Sequence, residues 1–130
     1  MRVLFVEDSE VNRRVIKEML RAAGIEMEEA EEGAAGLAKI EANDYDLILM
    51  DLRMPGMDGM TAIRHIRARS DEKAKLPIIV VTADAGATID ADCRAVGADD
   101  VVLKPVSMTT LFDAIGRLIA ARSQDSVVLA

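Results

Sequence analysis

The stretch L-I-L-M-D-L-R-M-P-G-M-D-G, residues 47–59, joins four apolar residues directly to an acid and then to two turn signals. A short, continuously apolar run such as Leu47–Met50 reads as a strand buried on both faces. Asp51 stands at its carboxyl end. Pro55-Gly56 and Asp58-Gly59 are turn residues that hold the loop behind that acid. Asp58 suits the N-cap of a helix whose apolar positions are Met60, Ile63 and Ile66. The stretch is therefore one strand, one acid-bearing loop and the start of one helix.

The same unit recurs on both sides. Apolar runs at Val3–Val6, Ile25–Ala30, Ile78–Val81 and Val101–Leu103 predict four more strands. Val11, Val15, Ile16, Met19 and Leu20 share one wide helical face. Leu37 and Ile40 mark an Ala-rich helix over residues 34–42. Ile89, Cys93 and Val96 mark a short polar helix, and Leu111, Ile115, Leu118 and Ile119 the last. Gly24 and Gly97 fall where helices stop, and Ser107 is a second candidate N-cap. Five βα units thus fill 130 residues, which is one domain. The expected domain covers residues 1–122. The segment 123–130 has no helical periodicity and is expected to be a loose tail.

Strict alternation of strand and helix implies a parallel sheet with helices on both faces. The second run alternates, with Met27 and Ala30 set against Glu26, Glu28 and Glu29, which suits an edge strand. The order 2-1-3-4-5, a flavodoxin-like α/β fold, follows as the expectation. Its sites lie at the carboxyl ends of strands one and three.

Composition narrows the chemistry. The chain carries 16 basic and 23 acidic residues, a net charge of −7, with no basic run. That argues against nucleic acid and anionic membrane surfaces as partners. Aromatics make up 2% of the chain, too few for base-stacking platforms. A lone Cys93 allows neither an internal disulfide nor a thiolate metal site, so a reducing, cytoplasmic setting is expected. No apolar run approaches a membrane span, and no signal peptide is evident.

The strand ends carry the polar residues of interest. Strand one ends in Glu7-Asp8, strand three in Asp51, strand four in Thr82-Ala83 and strand five in Lys104-Pro105. Three carboxylates at one rim repel one another, and a hard divalent cation removes the conflict. Oxygen ligands without His or Cys select Mg²⁺. A carboxylate can also attack phosphorus, and Asp51 is the preferred nucleophile because Glu7 and Asp8 make the better cation pair. Lys104 and Thr82 supply the charge neutralisation and hydrogen bonding that phosphoryl transfer needs. No Gly-rich phosphate loop follows strand one, so a nucleotide cradle is absent. Phosphatases of the haloacid dehalogenase type carry a second acid two residues after their nucleophile, and here that position is Arg53.

Four segments, V-E-D-S-E-V-N (6–12), residues 47–59, V-T-A (81–83) and G-A-D-D-V-V-L-K-P (97–105), resemble the receiver domain of two-component response regulators. The resemblance spans about Arg2 to Arg122. The 47–59 loop and A-D-C-R-A-V-G-A-D-D (91–100) look most like receivers that work with hybrid histidine kinases. The resemblance implies that Asp51 accepts a phosphoryl group from a phosphohistidine on a kinase or phosphotransfer protein. It implies Mg²⁺ held by Asp8 and Asp51, by Glu7 through water, and by the Arg53 carbonyl. Thr82, Lys104 and the backbone N–H groups of Arg53 and Ala83 would contact the phosphoryl oxygens, and the peptide before Pro105 would be cis. The family's histidine-bearing bundle docks beside the first helix, near Asn12 and Val15 or Met19, and output comes from the face of helix four, strand five and helix five. Two positions depart from the pattern: the switch aromatic is Val101, and the residue after Pro105 is Val106.

Arg53 and Asp84 border the open side of Asp51 and carry opposite charge. A pair between them would guard the path of an attacking water. His65, among Arg64, Arg67 and Arg69, reads as an exposed helix residue, and the basic cluster as a solvated helix end. Cys93 reads as a partly buried helix residue. With no further domain in this sequence, phosphorylation-dependent protein contact is the expected output. A phosphate shuttle or a hybrid-kinase receiver, a constitutive pseudo-receiver and a Mg²⁺-dependent phosphatase are the alternatives.

Overall fold

The computed structural model describes residues 1–129, the side chains of 123–129 excepted. The elements alternate without exception: β1 (Arg2–Val6), α1 (Glu10–Ala22), β2 (Glu26–Ala30), α2 (Gly33–Ala42), β3 (Leu47–Asp51), α3 (Gly59–Arg67), β4 (Ile78–Thr82), α4 (Ile89–Val96), β5 (Asp100–Leu103) and α5 (Met108–Leu129). One 3₁₀ turn, Glu72–Lys75, precedes β4 and was not legible from spacing. The loose tail expected at 123–130 falls on residues whose side chains lie outside the described set; the α5 backbone is helical to Leu129.

The sheet is parallel and ordered β2-β1-β3-β4-β5, with β2 at an edge. Successive strand residues face opposite sides, so the apolar runs feed two cores. Leu4, Val6, Ile48, Met50, Ile78 and Val80 meet Ile40, Ile63, Ile66 and Cys93 from α2, α3 and α4. Val3, Phe5, Leu47, Leu49, Ile79 and Val81 meet Ile16, Leu20, Leu111 and Ile115 from α1 and α5. Polar contacts tie the edge strand to its neighbours: Arg2 of β1 pairs with Glu28, and the Tyr45 hydroxyl, just before β3, donates to the same carboxylate at 2.9 Å.

Caps fix where the helices begin. Ser9 accepts from the Asn12 N–H at 3.3 Å, Asp58 from Thr61 at 2.8 Å and Ser107 from Thr110 at 3.1 Å. Gly97 ends α4 with φ +116°, a left-handed backbone that favours glycine. Two expectations are corrected. Cys93 is fully buried, because α4 turns it into the sheet rather than to its flank. Arg67 is not part of a solvated helix end: it donates to the carbonyls of Gly97, Ala74 and Leu76 and pairs with Asp99 at 3.0 Å. His65 is exposed, and Arg69 pairs with Asp71 at 2.8 Å.

Candidate functional site

Register brings the polar strand ends together. Val6 lies opposite Met50, Asp51 opposite Val81, and Thr82 opposite Leu103. Glu7 therefore emerges level with Asp51, and Lys104 one step beyond Thr82. Asp51 and Thr82 close β3 and β4, which are buried along their whole length, and Glu7 and Lys104 follow the ends of β1 and β5, so the polar residues fall at one rim.

Glu7, Asp8 and Asp51 each offer a carboxylate oxygen within 4.8 Å of the others. Glu7 is fully buried, Asp51 is 4% exposed and Asp8 is open to solvent. The Lys104 ammonium reaches Glu7 Oε1 at 2.7 Å and Asp51 Oδ1 at 3.3 Å. The Lys104–Pro105 peptide is cis. One cation for two buried carboxylates leaves the cluster short of positive charge. Burial pushes the Asp51 carboxyl up to about 7, and hydrogen bonding with Glu7 and the charge of Glu7 add to this, against the opposing pull of Lys104. Burial also pushes Glu7 upward, but Asp51, Lys104 and Asn12 as hydrogen-bond partners hold it below the usual carboxylate range. Burial alone would lower the Lys104 ammonium; its contacts with Glu7 and Asp51 raise it instead.

The all-oxygen donor set fits a hard divalent cation. A second observation agrees: with Glu7 and Asp51 both ionised, Glu7 Oε2 is buried and has no hydrogen-bond donor. A buried acceptor left bare is costly, and a cation with its water shell would satisfy it.

Thr82 is 1% exposed, and its hydroxyl accepts from the Asp84 N–H at 3.1 Å. Ala83 lies exposed beside it. Arg53 and Asp84 do meet across the entrance, with Nη2 to Oδ2 at 2.6 Å. Asp84 Oδ1 also accepts from Gly86 N–H at 2.9 Å, which anchors the pair to the β4–α4 loop. Bonding to Arg53 keeps the Asp84 carboxyl below its ordinary range. Behind the acceptor, the Gly59 N–H donates to Leu52 at 2.9 Å. A Cβ at Gly59 would collide with the Asp51 carbonyl oxygen and lie 2.9 Å from Leu52 Cα. Glycine there is required by close approach, beyond the turn role its sequence position suggests.

Two residues were given no part in this cluster by their place in the sequence, Asn12 having been named only as a neighbour of the docking surface. Asn12 donates to Glu7 Oε1 at 2.8 Å, and Arg13, though charged, is 6% exposed and donates to the Glu7 carbonyl at 2.7 Å. The signal for both was present in Ser9: a cap there sets the first turn of α1 over the end of β1. On the neighbouring surface Val15 is 47% exposed, as its position on an over-wide apolar face implied, whereas Met19 packs against the core. Val11 is more exposed still. Val101, where an aromatic was expected from the resemblance, is partly buried against the α2–α4 core.

The family described as "Response regulator receiver domain" matches residues 3–116. The chain is 43% identical over 116 residues to the two-component response regulator ORR41 of Oryza sativa subsp. japonica, covering 85% of this chain and 88% of that protein. It is 37% identical over 119 residues to hybrid signal transduction histidine kinase G of Dictyostelium discoideum, covering 90% of this chain but only 4% of the kinase. Among solved structures it resembles the receiver domain of sensor histidine kinase PA1611 from Pseudomonas aeruginosa PAO1, which has a magnesium ion coordinated in its active site cleft. The TM-score is 0.84 at 36% identity, with 92% of this chain and 97% of that chain covered.

Proposed function

The chain belongs to the response regulator receiver family of two-component signalling, and on that premise we propose that Asp51 is its phosphoryl acceptor. The observation that carries this reading is the cluster of three carboxylates within 4.8 Å, two of them bridged by Lys104.

Receiver domains bind Mg²⁺ in their acidic site. In this chain Asp8, Asp51, Glu7 through water and the Arg53 carbonyl would hold it. Bound there, Mg²⁺ supplies charge neutralisation for the carboxylates and the incoming phosphoryl oxygens. An Asp51 carboxylate oxygen attacks the phosphorus of a phosphohistidine. The N–P bond breaks, an acyl phosphate forms, and imidazole leaves. Asp51 must be ionised to attack, so its proton has to be displaced, and neutralising the cluster does this. Lys104 then shifts from the carboxylates toward a phosphoryl oxygen. The Thr82 hydroxyl, now held by the Asp84 N–H, donates to another, and the N–H groups of Arg53 and Ala83 complete the set.

Receivers interact with histidine kinases or phosphotransfer proteins, and for this chain the donor would dock over α1. Exposed Val15 lines a groove of about 190 Å³ with Asn12, Pro105 and Val106 above Lys104, and Val11 lies exposed one turn earlier on α1. Output would leave through α4, β5 and α5, where Asp100 joins Arg94 at 3.0 Å and Arg117 at 2.8 Å. The hybrid-kinase relative supports a second role, as a relay that passes its phosphoryl group to another histidine. Among the described residues no helix is long and apolar enough to cross a membrane, and a cytoplasmic setting suits the reading.

The test uses acetyl phosphate and beryllofluoride. Wild type should be labelled, or bind the mimic, only with Mg²⁺, and Asp51→Asn should do neither. Labelling of Asp51→Asn, or of wild type in EDTA, overturns the assignment. Val15→Ala should slow transfer from the cognate kinase while leaving acetyl phosphate labelling unchanged.

A further inference from the structure

The groove above Lys104 is apolar except for two residues. Phe5, Val15, Ile16, Val81, Pro105 and Val106 line it together with Asn12 and Lys104. Packing alone would favour an apolar side chain at position 12. Asn12 sits in the first turn of α1, at the third helical residue after the Ser9 cap. Side chains on a helix lean toward its N-terminus, which here means toward Glu7. A Gln or Glu at this position commonly reaches back to the capping residue's own N–H. Asn12 donates instead to Glu7 Oε1 at 2.8 Å, the same oxygen that Lys104 reaches at 2.7 Å. Both polar residues of the groove thus converge on one carboxylate oxygen. With both carboxylates ionised, the other oxygen, Oε2, is buried without a donor.

We propose that Asn12 is a positioning residue for the cation site: it holds Glu7 by Oε1 and so keeps Oε2 free for the water shell of the metal shared with Asp8 and Asp51. The role rests on the Mg²⁺ reading above. It asks for a neutral donor of this length. Asp would add a like charge against Glu7, and Ser would fall short. Lys104 cannot take over the task, because its ammonium also serves Asp51 and must move to the phosphoryl group, while the Asn12 amide donates to Glu7. Residues that orient metal ligands from behind commonly change metal affinity about ten- to a hundredfold when removed.

The experiment is an Mg²⁺ titration of the full chain, followed by amide shifts of Glu7, Asp8 and Asp51 in nuclear magnetic resonance spectra. Asn12→Leu fills the apolar groove and removes the donor; Asn12→Ala is the smaller companion, should Leu fail to fold. Each should bind Mg²⁺ about tenfold more weakly, with a thermal midpoint in EDTA no lower than that of wild type. In a Glu7→Ala background, Asn12→Leu should cost nothing further, since no carboxylate remains to be positioned. Affinity within twofold of wild type, an equal loss in the Glu7→Ala background, or a loss matched by a lower midpoint in both variants overturns the proposal. A wild-type chain that takes up no Mg²⁺ overturns the cation reading beneath it as well.

Discussion

Two charged clusters sit at opposite ends of the same sheet and are built on opposite terms. At the amino ends of β4 and β5, Arg67 spends its guanidinium on three backbone carbonyls and Asp99, while the other Asp99 contact secures the Ile78 N–H at 2.8 Å. At the carboxyl ends, two buried carboxylates share one ammonium, a third stands nearby, and one buried oxygen has no donor. The first cluster is complete as it stands. The second is complete only with added positive charge. The chain thus stores its electrostatic conflict where a cation and a phosphoryl group can relieve it, and satisfies its charges where only the fold depends on them.

Removing Arg67 should break the contrast most forcefully. Arg67→Ala takes the guanidinium from three carbonyls and leaves Asp99 with the Ile78 N–H alone, and unfolding in urea should show a loss of about 3 kcal/mol. Beryllofluoride binding by the folded fraction should be unchanged. A loss below about 0.5 kcal/mol would mean that the lower cluster is ornamental.

The upper cluster should respond in the opposite sense. Asp51 is held up to about 7 against an ordinary 3.8, so the folded chain keeps a proton that the unfolded chain has released. Such a group contributes stability fully below about pH 4 and loses it as pH rises through about 7. Glu7, held low, works the other way and only in more acid solution. Metal-free Asp51→Asn should therefore be more stable than wild type at pH 8, with the gap closing toward pH 4. A gap independent of pH between those limits would show that the Asp51 proton is not what differs. Added Mg²⁺ should have a smaller effect: at ten times its dissociation constant it stabilises wild type by about 1.4 kcal/mol, and Asp51→Asn by much less. Equal stabilisation of the two in thermal melts would place the ion elsewhere.

The entrance pair should affect stability least and timing most. Arg53 is 80% exposed, so Arg53→Ala should not shift the melting temperature measurably, and Asp84→Ala, which also gives up the Gly86 contact, should lower it only slightly. Both should shorten the life of the phosphorylated protein several-fold, and the double variant should decay no faster than the worse single one. Decay like wild type, or effects that multiply, would reduce the pair to a surface contact.

The contrast also explains what could be read from the sequence. The upper rim was legible because each of its residues ends an apolar run, and register does the rest. Glu7, Asp51, Thr82 and Lys104 arrive together for that reason, and the order of the strands followed from the same runs. Arg67 was misread because nothing in R-H-I-R-A-R distinguishes a guanidinium that turns inward from one that turns out. Its partners are carbonyls, which carry no letter in the sequence. Asn12 and Arg13 were hidden for a related reason, since their partners lie across a strand–helix junction whose geometry depends on the Ser9 cap. Cys93 and Val11 were misplaced or missed by about one step around a helix, which is the resolution of a periodicity argument on short helices.

Gly59 bears on how any mutational survey of this chain must be interpreted. A single methyl group there meets the acceptor's own carbonyl oxygen and the backbone of the following residue. An alanine scan would record position 59 as essential although it carries no chemical group at all. The defect would be one of alignment, an acceptor displaced relative to Lys104 and Thr82, and excess phosphodonor would not cure it. Inactivity at that position would reveal how tightly the third helix is pressed against the reactive strand, and nothing about the reaction.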